Sequence, residues 1–514
     1  MKIKLSQIAR NTAIVSAFFL ADKILGFVRQ VIIVRQFGLS RELDAFNVAN
    51  NLPDMLFALI SGGALAMAFI PVLTQTLTID GRESAWKLFS RIVNLAFIIT
   101  AVIAIFVALF SDKLVEWQIG IAPGFERPQQ LLVAELMRLN LVATIVFSIS
   151  GLVIAGLQAN QHFLLPAAAP SLFNMGQIFG AVVLAPEKGY EIAGFTLPAF
   201  NLGVHGLVYG VIIGALLHLL IQVPGLIKYK YRWQPGINLD NPAVRQVLTV
   251  LGPRLVTMMF IQLIFIVRDN MASRLETGSV SALTYGWMFF QVPETLIGTA
   301  IGTAMLPSLA TLAAKNDWKA FSETIEKAIQ TIIVITLPVA AVLGTGLGGV
   351  ITSAFHFTNE QTELVLWVSR GFLLGLAGQC VLEVAVRSFY ARKDAITPLW
   401  AGGLNLIVFT GLSIFFIERL GAAGISLADC LAYTSEAVLL LWLFKRRINI
   451  PVAFSKSIPR GLLAALIGGL VTYIVLGLIG SATRPVFASL FALFAGAVSV
   501  IPFVWKEVKQ LARL

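Results

Sequence analysis

Apolar residues run along this chain in long blocks, set off from one another by short clusters of glycine, proline and charge. Setting the blocks against that punctuation predicts helices over 12–37, 45–75, 91–110, 132–156, 164–185, 202–227, 246–270, 280–312, 329–353, 362–389, 396–417, 421–444, 459–480 and 485–505. A helix needs about 20 apolar residues to cross a hydrocarbon core about 30 Å thick. Blocks of that order recur along the whole chain, and no soluble domain of any size fits between them. The expected fold is an all-α polytopic membrane protein of about 14 transmembrane helices.

Composition agrees. The 514 residues are 57% hydrophobic and 13% charged, with a mean hydropathy of +0.84, where soluble domains carry about 25% charged residues. The net charge of +11 would point to nucleic acid in a soluble protein. Here most of the cations sit between the blocks, and no nucleic-acid partner is expected. With a cytoplasmic N-terminus, inner loops and tails hold 24 Lys and Arg against 7 in outer loops, so both termini are expected in the cytoplasm. The first apolar run is interrupted by Asp22 and Lys23 and lacks a small-residue cleavage site, so the first helix reads as retained rather than as a signal peptide. Cys380 and Cys430 fall inside predicted spans and read as buried packing residues.

A duplication is legible in the chain. Arg29 and Arg35 are echoed by Arg268 and Arg274 at the same spacing, and Leu52-Pro53-Asp54 by Val292-Pro293-Glu294. Leu157-Gln158-Ala159 before Pro166 is echoed by Phe389-Tyr390-Ala391 before Pro398, and Leu202-Gly203 by Leu420-Gly421. The offset runs from 239 to 218 residues, with about six helices per copy. An even number of crossings gives both copies one orientation, so a pseudo-two-fold axis along the membrane normal is expected. The predicted organisation is a six-helix lobe over 1–227, a second over 228–445, and two further helices with a tail over 446–514. The lobes are expected to surround a central cavity.

Charge inside a span costs about 2.5–3.5 kcal/mol on insertion scales, so such residues face a cavity or a partner. Arg29 and Arg268, repeat-related and deep, are the first candidates for an anionic ligand, because a guanidinium grips phosphate with two parallel hydrogen bonds. Lys23, Arg254 and Asn51 join them as candidate substrate-binding residues, and Asp44, Asp54, Asp269 and Glu294 as candidates for a portal or for ion coupling. Alternatively, pairs such as Asp22 with Lys23 and Arg268 with Asp269 glue helices together. The segment Lys315–Gln330, with Trp318, Phe321, Ile325 and Ile329 at helical spacing, reads as an amphipathic stretch on the cytoplasmic surface. Four scattered histidines give no metal-ligand spacing, and no P-loop, nucleophile elbow or thiol motif stands out. A transporter is expected rather than an enzyme, with no cofactor or metal and with Na+, H+ or the membrane potential as the candidate driving force.

Leu25-Gly26-Phe27-Val28-Arg29, Asp44-Ala45-Phe46 followed by Leu52-Pro53, Ala68-Phe69-Ile70-Pro71, and Phe389-Tyr390-Ala391-Arg392-Lys393-Asp394 with Thr397-Pro398 resemble the MurJ (MviN) family of lipid II flippases, within the multidrug, oligosaccharidyl-lipid and polysaccharide exporter superfamily. The resemblance implies alternating-access transport of the undecaprenyl-pyrophosphate-linked peptidoglycan precursor across the bacterial cytoplasmic membrane. It also implies that Arg29 matches a first-helix arginine, that Lys23 stands where arginine is frequent, and that Asp44 lies near a lateral portal. Where members carry lysine, paired arginines and glutamate along the second helix, this chain has Asn51, Phe57, Ala58 and Gly62; an eighth-helix arginine is Met288, and a frequent Asp-Arg order is Arg268-Asp269. An exporter of another lipid-linked saccharide or anionic lipid, and a non-transporting scaffold among other cell-wall synthesis proteins, therefore stand as alternative readings.

Overall fold

The computed structural model describes residues 7–511 apart from 62, 193, 449–456 and 481–482. Side chains at 7–16, 19, 60–68, 192, 250, 253–254, 257, 447–448, 457, 508 and 510–511 lie outside that description. The chain divides into two compact units, Met1–Ile266 and Val267–Leu514.

The first unit opens with α1 (Gln7–Phe37), α2 (Arg41–Ala49) and α3 (Asn51–Leu56), a π-helical turn over Phe57–Ser61, and α4 (Gly63–Ile79). It continues through α5 (Gly81–Glu116), α6 (Arg127–Ala159) and α7 (Leu164–Phe179), the last prolonged by a π turn over Gly180–Leu184. A two-stranded hairpin, β1 (Glu191–Ile192) with β2 (Phe195–Thr196), leads to α8 (Gly203–Leu220), α9 (Val223–Lys228) and α10 (Pro242–Ala272). The unit boundary falls within α10.

The predicted span 45–75 is broken into α2, α3 and α4, and the sequence says why. Ser40 caps α2 by accepting from the Leu43 amide at 3.2 Å, and Pro53 sits in the first turn of α3, where its missing N–H costs little. The polar groups freed at the break are met from within. Asn50 Nδ2 donates to the Phe46 carbonyl at 2.9 Å, and Asn140 Nδ2 of α6 donates to Asn50 Oδ1 at 2.8 Å. Thr144, one turn on, reaches the Pro53 carbonyl at 3.4 Å. Irregular backbone at membrane depth is tolerated where protein groups satisfy it.

A stripe of small residues joins α7 to α8. A Cβ at Gly176 would lie 2.3 Å from Gly214 Cα, and one at Gly180 would lie 2.6 Å from both the Gly206 carbonyl oxygen and Gly210 Cα. Five glycines at four-residue spacing thus let two backbones touch, the means of association left to helices in a solvent as apolar as leucine. The apolar core of the unit gathers Phe69, Leu73, Phe89, Val153, Leu157 and Val247.

The second unit holds α11 (Ser279–Glu294), a π turn over Thr295–Thr299, α12 (Ala300–Ala314), α13 (Trp318–Gly346), α14 (Gly348–Phe355), α15 (Asn359–Leu374) and α16 (Leu376–Ala391). The chain ends with α17 (Ile396–Ile448), α18 (Ser457–Ile479) and α19 (Pro485–Leu511). Gly421 interrupts α17 with φ 55° and ψ −135°. In a straight helix Asn405 and Glu436 would lie about 46 Å apart; instead their side chains hydrogen-bond at 2.7 Å. The chain therefore doubles back at Gly421, as the paired predictions 396–417 and 421–444 require. The appended helices α18 and α19 pack on α13 and on each other, with Gly346 of α13 against Leu493 of α19 and Gly496 of α19 against Thr472 of α18.

Among the described residues, nine helices are long and apolar enough to cross a membrane, or ten if α15 and α16, bent by 42°, form one span. Helices α1 and α10, of 31 residues each, are not in this count because part of each lies outside the described residues; the second span is broken, and α17 counts once although it doubles back. One expectation is corrected: Lys315–Gln330 is no separate surface helix. Asp317 caps α13 by accepting from the Ala320 amide at 3.1 Å. Phe321, Ile325 and Ile329 are buried, with Phe321 stacked on Phe444 of α17. Cys380 and Cys430 are free and buried, as expected.

The glycine stripe generates a prediction. Gly210→Leu should lower the detergent-solubilised protein's unfolding temperature by several degrees, since overpacking costs about 1–3 kcal/mol. Gly477→Leu, where a Cβ meets nothing within 4 Å, should leave it nearly unchanged in the same thermal scan.

Candidate functional site

Each unit carries its own set of intramembrane polar residues. In the first, Asp22 and Arg29 lie two turns apart on α1 and turn to the same partner on α7. Arg29 Nη1 donates to Asn174 Oδ1 at 3.0 Å, and Asn174 Nδ2 donates to Asp22 Oδ1 at 2.8 Å. Asn174 thus bridges a cation and an anion. Asp22 is half-buried, and Lys23, beside it in sequence, is exposed. Asp54 of α3, also exposed, lies within electrostatic reach of Arg29. Asn51 is half-buried at the start of α3, whereas Asp44 is buried in α2. The side chain of Arg254 lies outside the described residues.

In the second unit Arg268 and Asp269 are both buried, with Arg268 Nε 3.5 Å from Asp269 Oδ1. Arg268 also acts electrostatically on Asp429 and Tyr433 of α17. One turn further on, Glu436 accepts from Asn405 Nδ2. Positions 429, 433 and 436 share one helix face. At the C-terminal end of α11, Glu294 accepts from Thr299 Oγ1 at 3.1 Å and from Thr295 Oγ1 at 3.3 Å, both in the π turn. Glu383 and Arg387 of α16 form an ion pair, and Arg387 Nη2 donates to Thr303 at 3.3 Å. Arg387 is half-buried within α16.

Sequence reasoning missed Asn174, Asp429, Glu436 and Glu383. The signal for the two α17 acids was present as carboxylates seven residues apart in an otherwise apolar run. Of the positions where the family carries charge, Phe57 opens a π turn and packs on Phe147, ring centroids 4.9 Å apart. Met288 is half-buried in α11, and Gly62 lies outside the described residues. The two sets differ in kind. The first sets Lys23 and Arg29 with Asp22 and Asp54. The second sets Arg268 and Arg387 with five carboxylates, Asp269, Asp429, Glu436, Glu294 and Glu383.

Asn174 is the residue on which the first set turns. Asn174→Leu leaves Arg29 and Asp22 without this bridge and should destabilise the protein by about 1.5–3 kcal/mol, the range for hydrogen bonds to charged groups. Met175→Leu, at an exposed neighbour, should be close to neutral by thermal unfolding in detergent.

Comparison with known proteins bears on this arrangement. A lipid II flippase MurJ of Burkholderia cenocepacia is 29% identical over 452 residues, covering 85% of this chain and 84% of that protein. A probable lipid II flippase MurJ of Treponema pallidum is 24% identical over 479 residues, covering 90% and 86%. A solved structure of lipid II flippase MurJ in an inward closed conformation shares the fold, with a TM-score of 0.77 at 23% identity over 97% of this chain and 99% of that one. An inward-facing multidrug-resistance MATE transporter of the MOP superfamily follows with a TM-score of 0.67 at 14% identity over 83% and 94%. The family described as lipid II flippase MurJ matches residues 33–496, most of the sequence, and the chain belongs to that family.

Proposed function

We propose that this chain translocates lipid II, the lipid-linked peptidoglycan precursor, across the bacterial cytoplasmic membrane by alternating access. The observation that carries the reading is the family match along 33–496, joined to an intramembrane arginine, Arg29, held in place by Asn174. A pyrophosphate needs fixed cations, and a guanidinium oriented by an amide loses less freedom on binding it than one free to rotate. Lys23, Arg29, Arg268 and Arg254 are the candidate cations for the pyrophosphate, and Asn51 is a candidate neutral hydrogen-bonding group. The chain works as a transporter without a covalent step of its own.

The carboxylate-rich set of the second unit supports a division of labour in which Asp269, Asp429, Glu436 and Glu294 couple transport to H+, Na+ or the membrane potential. Asp44 and Asp54 flank the entry of the headgroup. Export of another lipid-linked saccharide is the second reading, favoured by the apolar Phe57 and Met288 where the family carries cations.

Complementation separates these readings. In a bacterium depleted of its own lipid II flippase, the wild-type chain should restore growth, and Arg29→Ala and Arg268→Ala should each lose it at matched membrane levels. A well-inserted wild-type protein that fails to rescue would move the assignment to another lipid-linked substrate or to a scaffold. The excess of Lys and Arg in the inner loops supports a cytoplasmic position for both termini. A fluorescent protein fused after Leu514 should therefore glow, and a periplasm-dependent phosphatase there should be inactive.

A further inference from the structure

The segment that joins α9 to α10 reads Lys228-Tyr229-Lys230-Tyr231-Arg232-Trp233, cation and aromatic in alternation. The structure gives the alternation a direction. Tyr229 and Tyr231 are half-buried, while Lys228, Lys230 and Arg232 are exposed. The tyrosines fasten the segment to α5. Trp86 Nε1 donates to the Tyr229 carbonyl at 3.0 Å, and the Tyr231 hydroxyl lies 3.1 Å from Ser90 Oγ. Asn94 Nδ2 donates to the carbonyls of Gln234 at 2.8 Å and Gly236 at 3.0 Å, and Trp233 Nε1 donates to Asn94 Oδ1 at 2.8 Å. Trp86, Ser90 and Asn94 recur every fourth residue, so one stripe of α5 holds the connection along two turns. Edge contacts of Tyr231 with Trp86 and Phe89, centroids 5.3 and 5.1 Å apart, close the seam.

The cations of this strap meet those of α5. Arg82 and Lys228 lie over the one Tyr229 ring, at 5.5 and 5.6 Å from its centroid. With Lys87, Arg91, Lys230 and Arg232 they outnumber the nearby acids Asp80 and Glu83, and Glu83 is paired with Lys87 at 2.7 Å. His162, whose ring centroid lies 5.9 Å from that of Tyr229, adds nothing at neutral pH, since burial and then Lys228 hold its imidazole below the usual value. Position decides the ligand. The exposed apolar band of α5 opens with Phe97, Ile98 and Ile99, about 9 Å along the helix from Arg91. Trp233, 62% exposed, has the amphipathic ring that settles at the headgroup level. Loop cations that only set topology need no fixed geometry; these are held on a hydrogen-bonded frame next to the exposed apolar band of α5.

We propose that the strap Lys228–Trp233, together with Arg82 and Arg91, binds the phosphate headgroup of an anionic glycerophospholipid, at a site separate from that of the transported substrate. The test is titration of short-chain phosphatidylglycerol into the full chain in neutral detergent, read by native mass spectrometry and by thermal unfolding. Wild type should retain the lipid and unfold at a higher temperature, with phosphatidylcholine giving neither effect. The triple variant Lys228→Gln, Lys230→Gln, Arg232→Gln should bind on the order of a hundredfold more weakly, as each cation near an anionic surface contributes about a fivefold change. If the triple variant does not fold, Lys230→Gln and Arg232→Gln singly should each weaken binding about fivefold. Undiminished binding by the folded variants would overturn the proposal. Equal protection by inorganic phosphate, or by a soluble polyanion that displaces the lipid, would overturn it in favour of a general anion site.

Discussion

A bilayer core offers nothing to hydrogen-bond with, and most of this architecture answers to that one deficiency. Every backbone group released by a proline or a break must find a partner inside the protein, and every charge must find a partner or an aqueous opening. At the break between α2 and α3, Asn50 donates to the Phe46 carbonyl, Asn140 to the Asn50 side chain and Thr144 to the Pro53 carbonyl. The same deficiency withdraws the hydrophobic drive from helix association, which is why α7 and α8 meet through glycines rather than through large apolar side chains.

The two repeat copies have kept their framework and diverged in chemistry. Pro53-Asp54 and Pro293-Glu294 each stand shortly before a π-helical turn, a feature frequent at functional sites. Yet in the first unit a neutral amide bridges Arg29 to Asp22, and in the second Arg268 sits amid acids. Repetition therefore supplied the scaffold twice, while the residues filling it were free to specialise.

The general architecture was legible because hydrophobic block length carries so much information in lipid. The repeat was legible because proline and glycine leave marks at fixed positions, and Arg29 and Arg268 stood out as charges in apolar surroundings. What escaped was pairing across long separations. Asn174 is 145 residues from Arg29, and an asparagine in an apolar helix gives no hint of which helix it addresses. Asp429 and Glu436 escaped for a different reason: they lie in the return limb of a helix whose fold-back depends on Gly421. The periodicity of Trp318, Phe321, Ile325 and Ile329 was real but ambiguous, since an apolar stripe fits a membrane surface and a protein neighbour equally well; Phe444 supplied the neighbour.

The reversal at Gly421 ties the two limbs of α17 together. Its tip is short, with Glu418, Arg419 and Leu420 exposed and Gly421 in a backbone conformation that side-chain-bearing residues rarely adopt. Two limbs tied by so short a tip stay side by side once both are in the membrane, and a side chain at Gly421 would strain the backbone conformation on which that adjacency depends.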